Sequence, residues 1–485
     1  MIDNKIEKKE KIEKIKEKTN KINKTNKIKY GEIFTPEILI DEMFNLFSYN
    51  DNNFYNIFSN KNLKWLDTGA GTGNFSNYLF RKLDIGLSNV IKNKEQREKH
   101  IIENMIYMVE INVDNINILK DKFGENANIL HDDFLINDII FNINIDTNDK
   151  IYLFDIIIGN PPYNFNGLKK TPKNKVSEKK NDGKTIWMRF VKKSLSILKS
   201  NGNLLYIIPS IWMKPDKENN YDYLLNYKIH KLHTLTNTET NKIFSGEAQT
   251  PTCFFILSNK KTDGIIEIYD KSIKKYIDYK ISIDKQLPIP LYGQSVIDKL
   301  LYYVEKYGCL NVIKTNSPNV KSVFSNTYHK NNFSYKNVKT CILDKTKPVI
   351  IYNYSNISQA YYNIPKIILS HKMYGFPFID FTGEFGISSR DNYVIFNYDI
   401  NELKLIQKFL STKTALYIYE ATRYRMKYLE KYAFQLIPDI TKLNETQIFP
   451  NINKINDETI AKYFNFTDEE YNAIINLHQK NYMFF

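Results

Sequence analysis

Residues 153–163 read Leu153-Phe154-Asp155-Ile156-Ile157-Ile158-Gly159-Asn160-Pro161-Pro162-Tyr163. The first seven are apolar apart from one aspartate, which is the pattern of a strand buried in a sheet. The tetrapeptide that follows then stands at the carboxyl-terminal mouth of that strand. In open α/β sheets, ligands bind in the crevice outside the carboxyl ends of the strands. Asn160 offers a side-chain amide oxygen, Pro161 a backbone carbonyl with no N–H of its own, and Tyr163, beyond Pro162, a flat ring. Two oxygen acceptors and a ring suit a planar exocyclic amine.

Working outward, the stretch from Tyr30 to about Asn259 alternates short apolar runs with amphipathic ones. Strands are predicted at Leu63–Asp67, Ile106–Glu110, Asn128–His131, Phe154–Ile158, Asn203–Ile208, Lys231–Leu235 and Thr252–Leu257, with helices such as Asn74–Leu83 and Lys184–Leu198 between them. This rhythm predicts an α/β domain with a mixed, mostly parallel sheet covered by helices. Polar stretches at 88–100 and 164–184 interrupt it. The second is Lys-rich and fits either a loop beside the site that clamps a polyanion or an expansion without function.

Around Leu287-Pro288-Ile289-Pro290 the rhythm breaks, and the remainder reads as a separate α+β region rich in Tyr, Asn and Lys. The expected organisation is a basic frayed tail over 1–29, an α/β domain over 30–263, a linker region over 264–290 and a second domain over 291–485.

The 485 residues carry a formal net charge of +14, which suits a polyanionic partner. A genome rich in A and T favours Lys codons whatever the function, so charge alone leaves both explanations open. Cys253, Cys309 and Cys341 are scattered, with no CxxC pair, which implies neither a disulfide framework nor a cysteine metal site. His230 and His233 lack a third ligand nearby and read as a surface pair, so no metal is expected. No apolar run reaches the ~18 residues of a membrane span, and no apolar signal core opens the sequence; a soluble cytoplasmic or intracellular protein is expected.

A second motif, Leu66-Asp67-Thr68-Gly69-Ala70-Gly71-Thr72-Gly73-Asn74-Phe75, links the first strand to a helix. Gly69, Gly71 and Gly73 allow a tight turn and close approach of a ligand, and this turn lacks the Gly-Lys-Ser/Thr of a phosphate loop. Glu110 closes the second strand, where an acid accepts the ribose hydroxyls of a nucleoside cofactor. After the third strand, Asp133 can accept from an adenine amine while the Phe134 ring packs on the purine.

Gly-rich turn, ribose acid, adenine-reading acid and Asn-Pro-Pro-Tyr, in that order, resemble the S-adenosylmethionine-dependent N6-adenine DNA methyltransferases. Tyr30-Gly31-Glu32-Ile33-Phe34-Thr35-Pro36 is similar to the segment ahead of the Gly-rich turn in their gamma subgroup, the TaqI-like enzymes of type II restriction–modification systems. The resemblance covers about residues 30–260. It implies a Rossmann-like methyltransferase fold, S-adenosylmethionine as cofactor, and double-stranded DNA as partner. It also implies Thr35 over the cofactor methionine, Asp67 in the cofactor site, and Phe244 as a second ring on an adenine flipped out of the duplex. Thr68 departs from the Pro that many members carry, and nothing obvious depends on it.

On this resemblance the second domain is a target-recognition domain. Lys169, Lys170, Arg390, Arg423, Arg425 and Lys427 are the candidate DNA contacts; the segment 421–428 reads equally as a helix with core tyrosines. A monomer is expected, with a separate cognate restriction endonuclease as a partner, because the chain ahead of Tyr30 is too short for a fused nuclease. Two alternatives stay open: methylation of an RNA base or a protein glutamine amide, which pose the same electronic problem, and a DNA-binding homologue without turnover.

Overall fold

The computed structural model describes residues 33–49, 54–136, 154–165, 185–281, 284–316, 318, 320–344, 347–371, 377–425 and 428–477. The chain divides into two compact units. The first comprises residues 1–210 and 218–266, the second residues 211–217 and 267–485.

In the first unit, strands β1 (Trp65–Asp67), β2 (Ile106–Glu110), β3 (Asn128–His131), β4 (Phe154–Gly159), β5 (Leu198–Pro209), β6 (Tyr227–Leu235) and β7 (Thr252–Lys261) lie in the order β3-β2-β1-β4-β5-β7-β6. β3, β2, β1, β4 and β5 pair in parallel, and β7 runs antiparallel to both β5 and β6. The order reverses between β1 and β4. Their carboxyl ends flank the topological switch point where ligands bind in such sheets.

The apolar run at 154–159 forms β4 because both of its faces are covered. Phe154, Ile156, Ile157 and Ile158 are all buried. Its one charge, Asp155, is satisfied at the far end of the strand. It accepts from the Lys64 N–H at 2.9 Å and pairs with Lys199 at 2.8 Å.

Helices α1 (Glu37–Phe44), α2 (Asn74–Gly86), α3 (Val113–Phe123), α4 (Trp187–Ile197) and α5 (Asn237–Ile243) connect or cover these strands. α1 buries Leu39, Ile40, Met43 and Phe44, and Phe44 stacks on Trp65 of β1. Tyr78 of α2 donates to Asp41 of α1, and Arg81 pairs with Glu37 at 2.8 Å. This packing carries residues 33–36, the lead-in to α1, to the start of α2. α4 joins β4 to β5 as a crossover and buries Trp187, Phe190, Val191 and Leu195.

The second unit is α+β. Residues 265–270 and 275–280 form two neighbouring strands. Two four-stranded sheets follow, with strand pairs antiparallel apart from Tyr335–Asp344 beside Phe385–Ile387. One core gathers Ile367, Leu369, Tyr393 and Ile395 against Leu403, Ile406 and Phe409 of the helix Ile400–Leu410. Within this sheet Lys366 and Asp380 face each other across paired strands as a buried ion pair at 2.5 Å. Among the described residues no helix is long and apolar enough to cross a membrane.

Candidate functional site

A cleft opens at the switch point, entirely within the first unit. It encloses about 1070 Å³ when the solvent at its open mouth is included. Thr35, Gly69, Gly71, Glu110, Asp133, Phe134, Asn160 and Pro162 all line it. Residues separated by more than a hundred positions are thus gathered at the ends of β1, β2, β3 and β4.

The glycine turn is tied to the second strand. Glu110 is buried, and its two carboxylate oxygens accept from the Gly71 N–H at 2.6 Å and the Asn112 N–H at 2.8 Å. Burial raises its pKa, and the hydrogen bonds to Asn112, Gly71 and Asn115 oppose that rise. Asp67 sits behind the turn rather than on the cleft wall, and its Oδ2 accepts from the Ser76 hydroxyl at 2.9 Å. Burial above all, with the nearby Glu110 charge adding, pushes its carboxyl up to about 7 against the Ser76 and Gly69 hydrogen bonds. Gly73 caps the start of α2 with left-handed backbone (φ 86°) and also lies off the cleft wall.

Asn160 projects from the end of β4. Its Nδ2 donates to Thr35 Oγ1 at 3.1 Å, and the Thr35 carbonyl accepts from Asn74 Nδ2 at 3.1 Å. The segment before α1, the first residue of α2 and the tip of β4 therefore meet in one hydrogen-bonded chain. Phe134 stacks on Phe190 of α4 (centroids 5.3 Å apart, planes at 19°), and the Asp133 carboxylate accepts from the Leu135 N–H at 2.8 Å.

Three other expected residues lie elsewhere. Pro161 is buried, and Tyr163 is half-buried with a hydroxyl that finds no partner among the described residues; neither lines the cleft. The Tyr163 carbonyl accepts from the Ile186 N–H at 3.0 Å. Phe244 is buried at the end of α5, with its N–H donating to the Thr240 carbonyl. Lys169, Lys170 and Lys427 lie outside the described residues.

In the second unit, Arg425 and Arg390 are exposed, whereas Arg423 is largely buried and pairs with Glu420 at 3.0 Å. Tyr417, Tyr419 and Tyr424 are core residues, and the helix Lys413–Ala421 ends before the arginines. His230 and His233 are not a solvated pair. His230 Nε2 hydrogen-bonds the Ser258 hydroxyl at 2.7 Å, and His233 stacks on Phe254. Among the described residues no group of three or more His, Cys, Asp and Glu side chains could hold a metal ion.

The cleft also contains residues that sequence reasoning missed. Ile111 follows the strand-end acid and stays 44% exposed while lining the cleft, an apolar side chain facing open space. An apolar residue directly after Glu110 was the signal available for it. Asn74, Phe165 and Phe190 line the cleft as well. Thr68 has a visible role: its hydroxyl meets Tyr206 Oη at 2.5 Å, which meets Ser194 Oγ at 2.8 Å, all buried.

The strand order, the glycine turn and the cleft at the switch point define an α/β domain of the Rossmann-like methyltransferase class. The family described as Eco57I restriction-modification methylase matches residues 2–244, half of the sequence. The chain belongs to that family. A curated relative from Escherichia coli, the type II restriction enzyme and methyltransferase RM.Eco57I, is 29% identical over 162 residues. That match covers 31% of this chain and 15% of the relative, so the chain spans a small part of that protein's length. Among solved structures, the type IIL restriction–modification enzyme MmeI in complex with DNA has a TM-score of 0.44 at 14% identity, covering 94% of this chain and 78% of its own. The type IIG restriction endonuclease BpuSI has a TM-score of 0.41 at 11% identity, covering 92% and 65%. The M protein of the type I restriction enzyme EcoKI has a TM-score of 0.34 at 14% identity, covering 49% and 48%.

Proposed function

We propose that this chain transfers a methyl group from S-adenosylmethionine to the N6 amine of adenine in double-stranded DNA. The observation that carries the reading is that Asn160, Glu110 and the glycine turn share one cleft. The donor set fits the cofactor. Glu110 presents a carboxylate to ribose hydroxyls, Asp133 an acceptor to the adenine amine, and Ile111 and Phe134 apolar flanks to the purine, with Gly69 and Gly71 leaving room for the rest. When bound, the cofactor supplies an electrophilic methyl carbon on a sulfonium.

The residues of the chain do the remainder. The N6 lone pair of adenine is delocalised into the ring and is a poor nucleophile. Asn160 Oδ1 and the Pro161 carbonyl accept the two amine hydrogens and favour a pyramidal nitrogen. Catalysis is then positioning and electrostatics, with no covalent intermediate on the enzyme. In a duplex the target base has to leave the stack, and Tyr163, three residues beyond Asn160 and off the cleft wall, is the ring we assign to hold it. Phe244 draws no support from the cleft, because its ring is buried at the end of α5. The second unit is the target-recognition domain, with Arg390 and Arg425 the exposed arginines among its candidate contacts.

The test is incubation with methyl-tritiated cofactor and, in parallel, duplex DNA, RNA or a glutamine-bearing protein acceptor, with the nucleic acids digested to nucleosides and the protein to amino acids. Label in N6-methyladenine is expected. Label confined to RNA or to protein glutamine, or none in any acceptor, contradicts the reading.

A further inference from the structure

We propose, resting on the adenine-methylation reading above, that Thr35 is a positioning residue that tethers the Asn160 amide nitrogen so that the amide oxygen faces the target amine. An asparagine amide is nearly symmetric in shape, yet only its oxygen accepts from an N–H; its nitrogen carries two donors. A half-turn about the last side-chain bond would place hydrogens where the amine needs lone pairs. Something on the protein side therefore has to occupy the nitrogen.

Thr35 Oγ1 does so, accepting from Asn160 Nδ2 at 3.1 Å. Thr35 is 3% exposed, so water has little room to take over the contact. The threonine is itself held from behind. Its carbonyl accepts from Asn74 Nδ2 at 3.1 Å, Pro36 follows it with φ −64°, and α1 is packed into the core by Leu39, Ile40, Met43 and Phe44. With Nδ2 engaged, Oδ1 is the amide atom left for the amine. The segment expected to touch the cofactor thus also orients the group that grips the acceptor.

Substitutions of opposite chemistry separate this role from packing. Thr35→Val keeps the shape and removes the hydroxyl; Thr35→Ser keeps the hydroxyl and removes the methyl. The expected result is a single-turnover rate at saturating cofactor about 10-fold or more lower in Thr35→Val. Thr35→Ser stays within about 3-fold of wild type. The duplex dissociation constant, measured by fluorescence anisotropy, stays within about 3-fold in both, and saturating cofactor keeps any change in cofactor affinity out of the rate.

The reverse order, with Val near wild type and Ser impaired, makes Thr35 a packing residue and overturns the inference. So does a Thr35→Val defect that vanishes once cofactor is saturating. Should Thr35→Val fail to fold by thermal melt, Thr35→Ala against Thr35→Ser gives the same comparison. Wild-type protein that labels no adenine overturns the underlying reading and this inference with it. Normal wild-type labelling with an unaffected Thr35→Val overturns this inference alone.

Discussion

Asp67 illustrates how a single buried carboxyl makes stability depend on pH. Its folded pKa is raised from an ordinary 3.8 to about 7, chiefly by burial. Between those values the folded protein binds more protons than the unfolded chain, so stability is full at low pH and declines as pH climbs. Melting temperatures measured from about pH 4 to about pH 7 should fall less steeply in Asp67→Asn than in wild type. Identical slopes would show that Asp67 does not titrate there. Thr68 makes a different point. In sequence it is only a departure from proline, because nothing local announces that a hydroxyl here meets Tyr206 and, through it, Ser194. Tyr206→Phe strands both hydroxyls in the core. It should cost about 1–3 kcal/mol by urea denaturation, and a cost near zero would mean that the two hydroxyls find other partners.

At the scale of elements, the strands were the most readable part, and the reason is physical. Leu204 to Ile208 and Phe154 to Ile158 are covered on both faces, so their apolar runs are nearly continuous; β2 was expected at 106–110 and is found there. What sequence could not supply was depth: whether a residue near a strand end faces the cleft or the core. Ile111 and Phe244 are both apolar residues just past an element, yet one is 44% exposed in the cleft and the other is buried. Tyr424 likewise reads equally as a DNA contact or as core; the fold buries it, with its hydroxyl donating to the Ile289 carbonyl, while the neighbouring Arg423 pairs with Glu420 at 3.0 Å. The glycine turn shows the same divide within one motif. A Cβ at Gly69 meets nothing within 4 Å, whereas one at Gly73 meets Leu119 Cδ2 at 2.8 Å on left-handed backbone. Gly73→Ala should therefore lose about 1–3 kcal/mol of stability. Gly69→Ala should stay within about 0.5 kcal/mol of wild type and weaken cofactor binding by calorimetry instead. Equal stability losses in the two variants would contradict this division.

For the molecule as a whole, the chain divides into two compact units, and the first holds the cleft. The net charge of +14 predicts that duplex affinity depends strongly on salt. Between about 50 and about 200 mM salt it should fall at least about tenfold, as counterions released from phosphates lose their advantage. An affinity flat across that range would assign the charge to codon bias instead. Asn160→Ala decides whether the cleft grips an amine through Asn160 opposite a nucleoside cofactor. Methyl transfer to duplex DNA and cofactor affinity should be measured on the same preparation. Transfer should fall by at least about 100-fold while the cofactor dissociation constant stays within about 3-fold. Transfer at the wild-type rate would contradict that grip.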